Sequence, residues 1–446
     1  MHKLLMTCVS LAALTSPALA QRVLAPAPEL GPGAAPAEAL DVSGEVVEAT
    51  SYWSAHGDQI YTRAVIRAAD GRRFEVRQPG GTVGDIGMRR IPSPPLVATG
   101  DRVEARLSRS TTVDATGAAP ATKPWIVLEI TAHERAGAEL PRLAPTGGES
   151  GVAGYVRGTT RSGDAPVYWA SSCVFITYDS PGTSHIAGDG EFAVMDAAIA
   201  HWEQSISSCS YFDVQMEPRA ALEVGFDGVN LVKFRDERWC RPSTEMDGGE
   251  DCHPLAAAGI TTLTFINNPD SDRYGEIVDA DIEFNGVRFA ISVDGQSEAP
   301  AGRCESDLAN TFTHEFGHLL GLNHTCLLPG DPSQLNDAGA AVPLCNDTLP
   351  DEILEATMHP SQVCGETKKA SLEQDDIRGV CEVYPADADA PSCEKVDLGG
   401  DKGWCTVSAG AGSSRHTSAP LWLLLAGLGL LLASGRRRRR HAPSRR

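Results

Sequence analysis

The chain has 12 cysteines in 446 residues, but none of them lies between residues 21 and 172. No disulfide can therefore form within that N-terminal part. Cys8 and Cys405 lie towards the two ends, and the other ten cysteines fall between residues 173 and 393. An even set in an exported chain predicts disulfides, and the absence of any C-x-x-C pair disfavours a second metal site. Spacing alone leaves the pairing open, with three plausible pairs: Cys240–Cys252, Cys326–Cys345 and Cys173–Cys209.

Positive charge is scarce as well. Lysine and arginine number 38 against 59 aspartates and glutamates, so the formal net charge is −21, and seven of the arginines lie at 436–446. A surface this acidic repels the phosphate backbone, which excludes nucleic acid as a partner. Clustered carboxylates in an exported protein fit either structural calcium sites or an ordinary solvated surface.

Both ends of the chain predict export. Residues 1–20 carry Lys3, an apolar run at 4–14 and the small-residue sequence Ala18-Leu19-Ala20, which together form a cleavable secretory signal. Residues 419–435 are apolar and precede a basic cytoplasmic tail at 436–446. This run is shorter than the roughly 20 residues of a usual spanning helix. A retained transmembrane anchor and a removable sorting signal both remain open.

Composition divides the rest of the chain into segments. Residues 21–40 are rich in alanine and proline and predict a linker. Short alternating runs at 41–135 predict a small β-barrel or sandwich. Residues 136–165 predict a second linker, and 386–418 a third, rich in cysteine, glycine and serine. Between them, strand-like runs alternate with a helical segment at 166–385, which predicts a catalytic domain of α/β class.

One motif carries the chemistry. Residues 314–324 read H-E-F-G-H-L-L-G-L-N-H, which matches H-E-x-x-H-x-x-G-x-x-H without a mismatch. On a helix over about 306–320, His314 and His318 lie one turn apart on the same face. Gly321 can take the left-handed conformation that ends the helix and returns His324 as a third ligand. Three imidazoles with an open fourth position predict a catalytic zinc site, with Glu315 on the open side.

The predicted reaction is hydrolysis of a peptide bond. Zinc lowers the pKa of a bound water from about 16 to about 7, and Glu315 can take the proton as the water attacks a carbonyl. Protein or peptide substrates are therefore the expected partners.

The motif resembles that of the metzincin zinc endopeptidases, whose members also carry a methionine in a tight turn beneath the metal. Met358, in A-T-M-H-P, is the candidate, and Pro360 two residues later favours the matrixin-like branch. The resemblance implies an α/β (α+β) catalytic domain with a mixed twisted sheet and an active-site helix. Thr325 departs from the serine usual there, and the segment 325–357 is unusually long. A cysteine switch of the matrixin type is not available, because residues 21–172 lack cysteine.

The strand-like segment 275–285 alternates charged and apolar residues and places Asp279, Asp281 and Glu283 on one face. In matrixins a strand at a corresponding place edges the cleft, aligns extended substrates, and has acidic neighbours that bind structural calcium. By that resemblance Asp279 or Asp281 binds Ca²⁺. A solvent-facing acidic edge that discourages aggregation is the equal alternative.

The C-terminal part resembles the sorting signal of myxobacterial surface proteins, in which a cysteine precedes a leucine-rich helix and an arginine cluster. Cys405 would then mark processing and surface attachment, with a sorting protease as a partner. The alternative is a plain transmembrane anchor at 419–435.

Together these features predict a secreted or surface-displayed zinc metalloendopeptidase: zinc ligands His314, His318 and His324, general base Glu315 and structural methionine Met358. The competing prediction is a surface adhesion or scaffold protein that retains zinc without turnover. The intact Glu315 disfavours it, because a binding module has no need of that carboxylate.

Overall fold

The computed structural model describes residues 37–110, 125–134, 154–160, 165–242, 251–346, 348–396 and 398. They belong to one compact unit, and a second unit, Gly399–Arg446, lies outside the described residues. The predicted signal peptide at 1–20, Cys405, the predicted transmembrane helix at 419–435 and the basic tail also lie outside them. None of the described helices is both long and apolar enough to cross a bilayer.

The α/β (α+β) class that the sequence predicted for the catalytic domain is wrong. The described residues are mostly β, with 38% of them in strands that form several sheets and 15% in helices. The prediction gave residues 41–135 to a small accessory domain, whereas the N-terminal part of the chain supplies seven strands. In addition, much of the chain after residue 285 forms short strands and turns, so that helices cover little of its length.

Five N-terminal strands close into a barrel in the order β1-β2-β3-β7-β6, with β3 and β7 parallel and the other neighbours antiparallel. Val46, Ile66, Val76 and Leu107 point inwards and are fully buried. Each lies on a different strand, and on the sixth strand the buried residues Val103, Ala105 and Leu107 occupy every second position, as the two-residue period of a strand requires. The first seven strands are β1 (Ala37–Trp53), β2 (Ile60–Ala68), β3 (Arg73–Pro79), β4 (Gly81–Val83), β5 (Ile86–Ile91), β6 (Arg102–Ser110) and β7 (Trp125–Glu134).

The remaining described elements are the strands β8 (Val156–Arg157), β9 (Cys173–Tyr178), β10 (Asp213–Met216), β11 (Asn230–Arg235), β12 (Cys240–Arg241), β13 (Asp251–Cys252), β14 (Gly259–Ile266), β15 (Ile277–Asn285), β16 (Phe289–Ser292), β17 (Cys304–Asp307) and β18 (Leu322–Asn323), the helices α1 (Gly190–Ile206), α2 (Leu308–Leu319), α3 (Asp351–Leu354) and α4 (Gln374–Val383), and a 3₁₀ turn, Lys368–Ala370.

The largest sheet has seven strands in the order β10-β9-β11-β15-β14-β5-β4. Its first four strands are parallel, whereas β14 runs antiparallel to β15 and to β5. The last two strands, β5 and β4, come from the chain between barrel strands β3 and β6. The N-terminal segment therefore builds a barrel and also completes the main sheet.

Helices α1, α2 and α4 pack with this sheet around the main hydrophobic core. Trp202 of α1 is fully buried against Phe316 of α2, and its indole Nε1 donates to the Thr313 carbonyl at 3.3 Å. Burying a large apolar side chain contributes roughly 1.5–3 kcal/mol, so this contact fixes α2 firmly against α1. Glu373 caps α4 in a reciprocal capping box with Asp376.

A buried network of charges joins the N-terminal segment to the main sheet. Arg90 of β5 pairs with Asp251 of β13, with 3.0 Å between Nη1 and Oδ1. Glu283 of β15 accepts from Arg235 Nε at 2.8 Å and from Arg241 Nε at 2.7 Å. Burial by itself would raise the pKa of Asp251, but the Arg90 guanidinium has the opposite effect, and the net pKa is about 2. The carboxylate is therefore ionised and holds β5 to the rest of the protein.

Five disulfides connect the described cysteines. Two of the pairs that sequence spacing suggested, Cys240–Cys252 and Cys326–Cys345, are confirmed. The suggested Cys173–Cys209 pair is wrong, because both cysteines meet partners from the C-terminal part that are distant in sequence. Those bonds are Cys173–Cys393 and Cys209–Cys381, and the fifth is Cys304–Cys364. Multiple disulfides fit an extracellular protein.

Candidate metal centre

Helix α2 carries the first part of the motif, from His314 to Leu319. Asp307 caps its start by accepting from the Asn310 N–H at 2.9 Å. Its apolar stripe, which includes Phe312 and Phe316, faces the core and is buried. The helix ends at Leu319, and Gly321 follows with φ +95°. A Cβ at Gly321 would lie 2.9 Å from the Val167 carbonyl oxygen, so both conformation and space require glycine there.

The turn at Gly321 brings His324 beside the two helical histidines. One ring nitrogen from each of His314, His318 and His324 lies within 4.8 Å of the others. The Nε2 atoms of His318 and His324 are 3.1 Å apart. Tetrahedral coordination with Zn–N bonds of 2.0–2.1 Å would place two such nitrogens about 3.3 Å apart. The group could hold a metal ion, and its spacing is compatible with zinc.

Hydrogen bonds orient two of these rings. His314 Nδ1 lies 2.7 Å from the Thr357 carbonyl oxygen, and His318 Nδ1 lies 3.0 Å from that of Leu322. Because a carbonyl can only accept, each Nδ1 carries the proton and each Nε2 keeps its lone pair for a metal. Burial lowers the pKa of His318 to about 4 and holds those of His314 and His324 well below their usual value. All three are therefore neutral, as metal ligands must be.

Glu315 lies on the side of α2 that faces β14. Its Oε2 accepts from the Thr261 hydroxyl at 2.7 Å, and a Cβ at Gly259 would lie only 2.6 Å from its Oε1. Burial raises the pKa of Glu315 to about 8, although Thr261 and Lys369 act in the opposite direction. A carboxyl group with a raised pKa is suited to accept a proton near neutral pH.

Met358 lies directly under α2. A Cβ at Gly317 would lie 2.4 Å from the Met358 Sδ, so the glycine in the motif leaves room for this side chain. Ala356 to His359 forms a turn closed by the His359 N–H and the Ala356 carbonyl at 3.0 Å. Thr357 in the same turn holds His314. The structure therefore packs Met358 against Gly317 of the motif helix and ties its turn to His314.

Asp376 of α4 supports the same turn through Thr357 and is buried. Burial, and then Asp375, raises the pKa of Asp376 to about 7.

The raised pKa of Asp376 predicts a pH-dependent stability. A carboxyl group whose pKa is raised by folding binds its proton more tightly in the folded state, so the free energy of unfolding falls as the pH rises from about 3.9 to about 7. Asp376→Asn should therefore become increasingly stable relative to the wild type over that range. Urea unfolding of both proteins at pH 4 and pH 8, with the exposed Asp351→Asn as a control, checks this. A difference that is the same at both pH values would contradict it.

The segment 325–357 follows the third histidine and contacts the barrel. The Cys326–Cys345 disulfide ties it into a loop, and a Cβ built at its Gly330 would lie 2.7 Å from the Ile130 carbonyl oxygen. Cys326, Cys345 and His359 form a cluster of possible ligand atoms, but both sulfurs are committed to the disulfide. Among the described residues, this cluster therefore offers no second metal site.

The strand that was predicted to edge the cleft is internal. It is β15, which lies between β11 and β14 and is buried along its whole length. The alternative of a solvent-facing acidic edge is equally wrong. Asp279 accepts from the Gly228 N–H at 2.8 Å, and Asp281 from the N–H groups of Gly225 and Leu231 at 3.1 Å each.

Burial raises the pKa of both Asp279 and Asp281 well above the usual range, and the negative charge of Asp227 raises both further. The calcium site suggested for these two carboxylates stays a prediction.

Sequence reasoning missed three contributors to the site: Thr261, Lys369 and Arg89. Lys369 is buried, and its charge reaches all three histidines. Arg89 of β5 acts on His318 and His324 in the same way. None of them lies near the motif in the chain, and no local pattern marks them. Only the tertiary structure, which brings β5, β14 and the 3₁₀ turn Lys368–Ala370 to the site, reveals them.

The site is closed to solvent. His314, His318, His324 and Glu315 are each 7% exposed or less. No known protein family matches the chain, and no curated protein is similar to it in sequence.

Proposed function

We propose that this protein is a zinc-dependent endopeptidase of the metzincin type, in its matrixin-like branch. The observation that carries the proposal is the convergence of three neutral imidazoles. Two of them come from α2, which also carries the carboxylate of Glu315. The residues present fit zinc, because two imidazoles present a free Nε2 and the spacing of His318 and His324 suits tetrahedral coordination.

His314, His318 and His324 would hold the ion and leave a fourth position open. Zinc, when bound, supplies Lewis acidity towards water and towards the substrate carbonyl. Glu315 takes up the proton of the attacking water and passes it to the leaving amine. Thr261 keeps one oxygen of Glu315 in place, so that the other, Oε1, is available to the water.

The proposed substrates are extracellular or surface proteins. A secretory signal at 1–20 and the disulfides support export. Attachment through the apolar segment 419–435, and processing near Cys405 by a sorting protease, remain predictions. Structural calcium at Asp279 and Asp281 also remains a prediction, and a calcium-dependent rise in melting temperature that Asp279→Asn abolishes would support it.

Zinc titration of the purified chain, together with an assay of casein hydrolysis, tests the function. We expect one zinc per chain and loss of binding in His318→Ala. In the Gly87→Val variant, which is designed to displace β5 from β14, we expect casein hydrolysis that a chelator stops and zinc restores. If the zinc-loaded chain hydrolyses no casein even when β5 is displaced from β14, the protein is not a peptidase.

Thr261 gives a sharper prediction within the same assay. Thr261→Val keeps the shape of the side chain but removes the hydrogen bond to Glu315. Because a hydrogen bond to a charged group contributes about 1.5–3 kcal/mol, kcat/KM should fall roughly ten- to hundredfold. Thr261→Ser, which keeps the hydroxyl, should retain most activity, and zinc content should be unchanged in both. Equal activity of the valine and serine variants would rule out this role.

A further inference from the structure

The outer edge of β14 next to the metal centre is already occupied by another part of the same chain. Strand β14 lies beside Glu315 through the Thr261 hydrogen bond. Its far side pairs antiparallel with β5 over six residue pairs, from Thr261 with Ile91 to Ile266 with Ile86. An exposed edge strand binds extended peptides by just this kind of main-chain pairing.

The register shows which β5 side chains face the metal centre. Residues directly opposite each other on neighbouring strands point to the same face. Thr261 points at Glu315, so its partner Ile91 lies on that face, and alternation adds Arg89, the partner of Leu263. The main-chain pairing ends opposite Thr261, because Pro92 follows Ile91 and has no N–H to donate.

The opposite face of β5 is anchored. Arg90 is buried in its pair with Asp251 and also bonds Gln59 of the barrel at 3.2 Å between Nη2 and Oε1. Met88 packs with Ile266 and Val278 in a separate small core. These contacts hold the strand in place, and the four residues of the metal motif are almost completely buried beneath it.

We propose that β5 is an internal occupant of the substrate-aligning edge, and that the protein is latent until the β4–β5 hairpin withdraws from β14. The inference rests on the proposed peptidase function. It assigns to the N-terminal segment the role of a pseudo-substrate that acts through main-chain pairing, without a thiol or other metal ligand.

The chain offers a matched pair of variants to test this. Gly87 of β5 lies opposite Phe265, and a Cβ there would be 2.6 Å from the Phe265 ring. Gly87→Val should therefore push β5 away from β14. Gly44→Val is the control, because a Cβ at Gly44 would be 2.5 Å from the Arg67 carbonyl, within the barrel and away from β5.

A third variant replaces residues 81–91 with a glycine-serine linker and carries Asp251→Asn, so that no buried carboxylate is left unpaired. The probe is a fluorescein-labelled Ala-Leu-Gly-Leu hydroxamate, whose binding to the zinc-loaded full chain is measured by anisotropy. Circular dichroism and zinc content identify the variants that are folded and loaded.

We expect the hairpin-replaced chain and Gly87→Val to bind the probe at least about tenfold more tightly than the intact chain and Gly44→Val. Binding by the hairpin-replaced chain alone would still support the inference, because the Phe265 ring could then accommodate valine. Equal binding by the intact and hairpin-replaced chains, or no binding by a folded, zinc-loaded hairpin-replaced chain, would overturn it. Tight probe binding without casein hydrolysis would support the occupied edge while contradicting the peptidase.

Discussion

Glu315→Gln should reduce casein hydrolysis by about 10²–10⁴-fold, the range that a positioned general base contributes, while zinc stays bound at one per chain. The amide has the same size as the carboxylate and can still accept from Thr261, but it cannot take a proton from water. His314 and His318 keep their hydrogen bonds to backbone carbonyls. The loss should therefore appear in turnover and not in metal affinity.

The comparison is best made in the Gly87→Val background, in which the edge of β14 is expected to be open. Glu352→Gln on the surface of α3 is the control for a glutamate substitution without a role in the site. Hydrolysis that persists in Glu315→Gln would contradict the role of base. Loss of zinc together with activity would instead make Glu315 a residue that assembles the metal site.

Glu283→Leu should lower the free energy of unfolding by about 3–5 kcal/mol, the usual cost of leaving a buried charge without its partner. Burial alone would raise the pKa of Glu283, but Arg241, His253 and Arg235 lower it well below its usual range. The carboxylate is therefore charged in the folded protein. Removing it leaves the buried Arg241 guanidinium without its ion-pair partner, and Arg235 with Glu223 as its remaining partner.

Urea unfolding at pH 7 measures this effect, and Glu75→Leu is the control. Glu75 pairs with Arg63 on the surface, where both side chains are largely exposed, so that substitution should change stability by no more than about 1 kcal/mol. A depressed pKa contributes stability fully above the unfolded value of about 4.3 and loses it only as the pH falls towards the folded value. The difference between Glu283→Leu and the wild type should therefore shrink only in acid. Similar losses in the free energy of unfolding for Glu75→Leu and Glu283→Leu would show that the buried ion pairs contribute no more to stability than an exposed one.

The metal centre could be predicted largely from local sequence. His314 and His318 are one helical turn apart, and Gly321 alone suffices to reverse the chain towards His324, so a short segment contains most of the geometry. Cys240–Cys252 and Cys326–Cys345 were also predictable, because both pairs close short loops. Cys173 and Cys209 were not, since their partners Cys393 and Cys381 are distant along the chain.

The fold class and the surroundings of the site were beyond local reasoning. Alternation of apolar residues identified strands at 41–135 but gave no indication that β4 and β5 leave the barrel for another sheet. The acidic strand β15 was misjudged as an edge for the same reason. Alternation on a strand shows that two faces differ, but not which strands lie on either side.

Local sequence was enough to predict the chemistry: which side chains can bind a metal, which carboxylate stands beside them, and where the chain must turn. These depend on residue type and on separations of a few residues, which backbone geometry converts directly into distances. Only the tertiary structure decided the mostly β architecture, the Thr261 bond to Glu315, the buried charges around Glu283 and the pairing of β5 with β14. Each of these joins residues tens to hundreds of positions apart, and their contact depends on how the whole chain buries its apolar surface and pairs its strands.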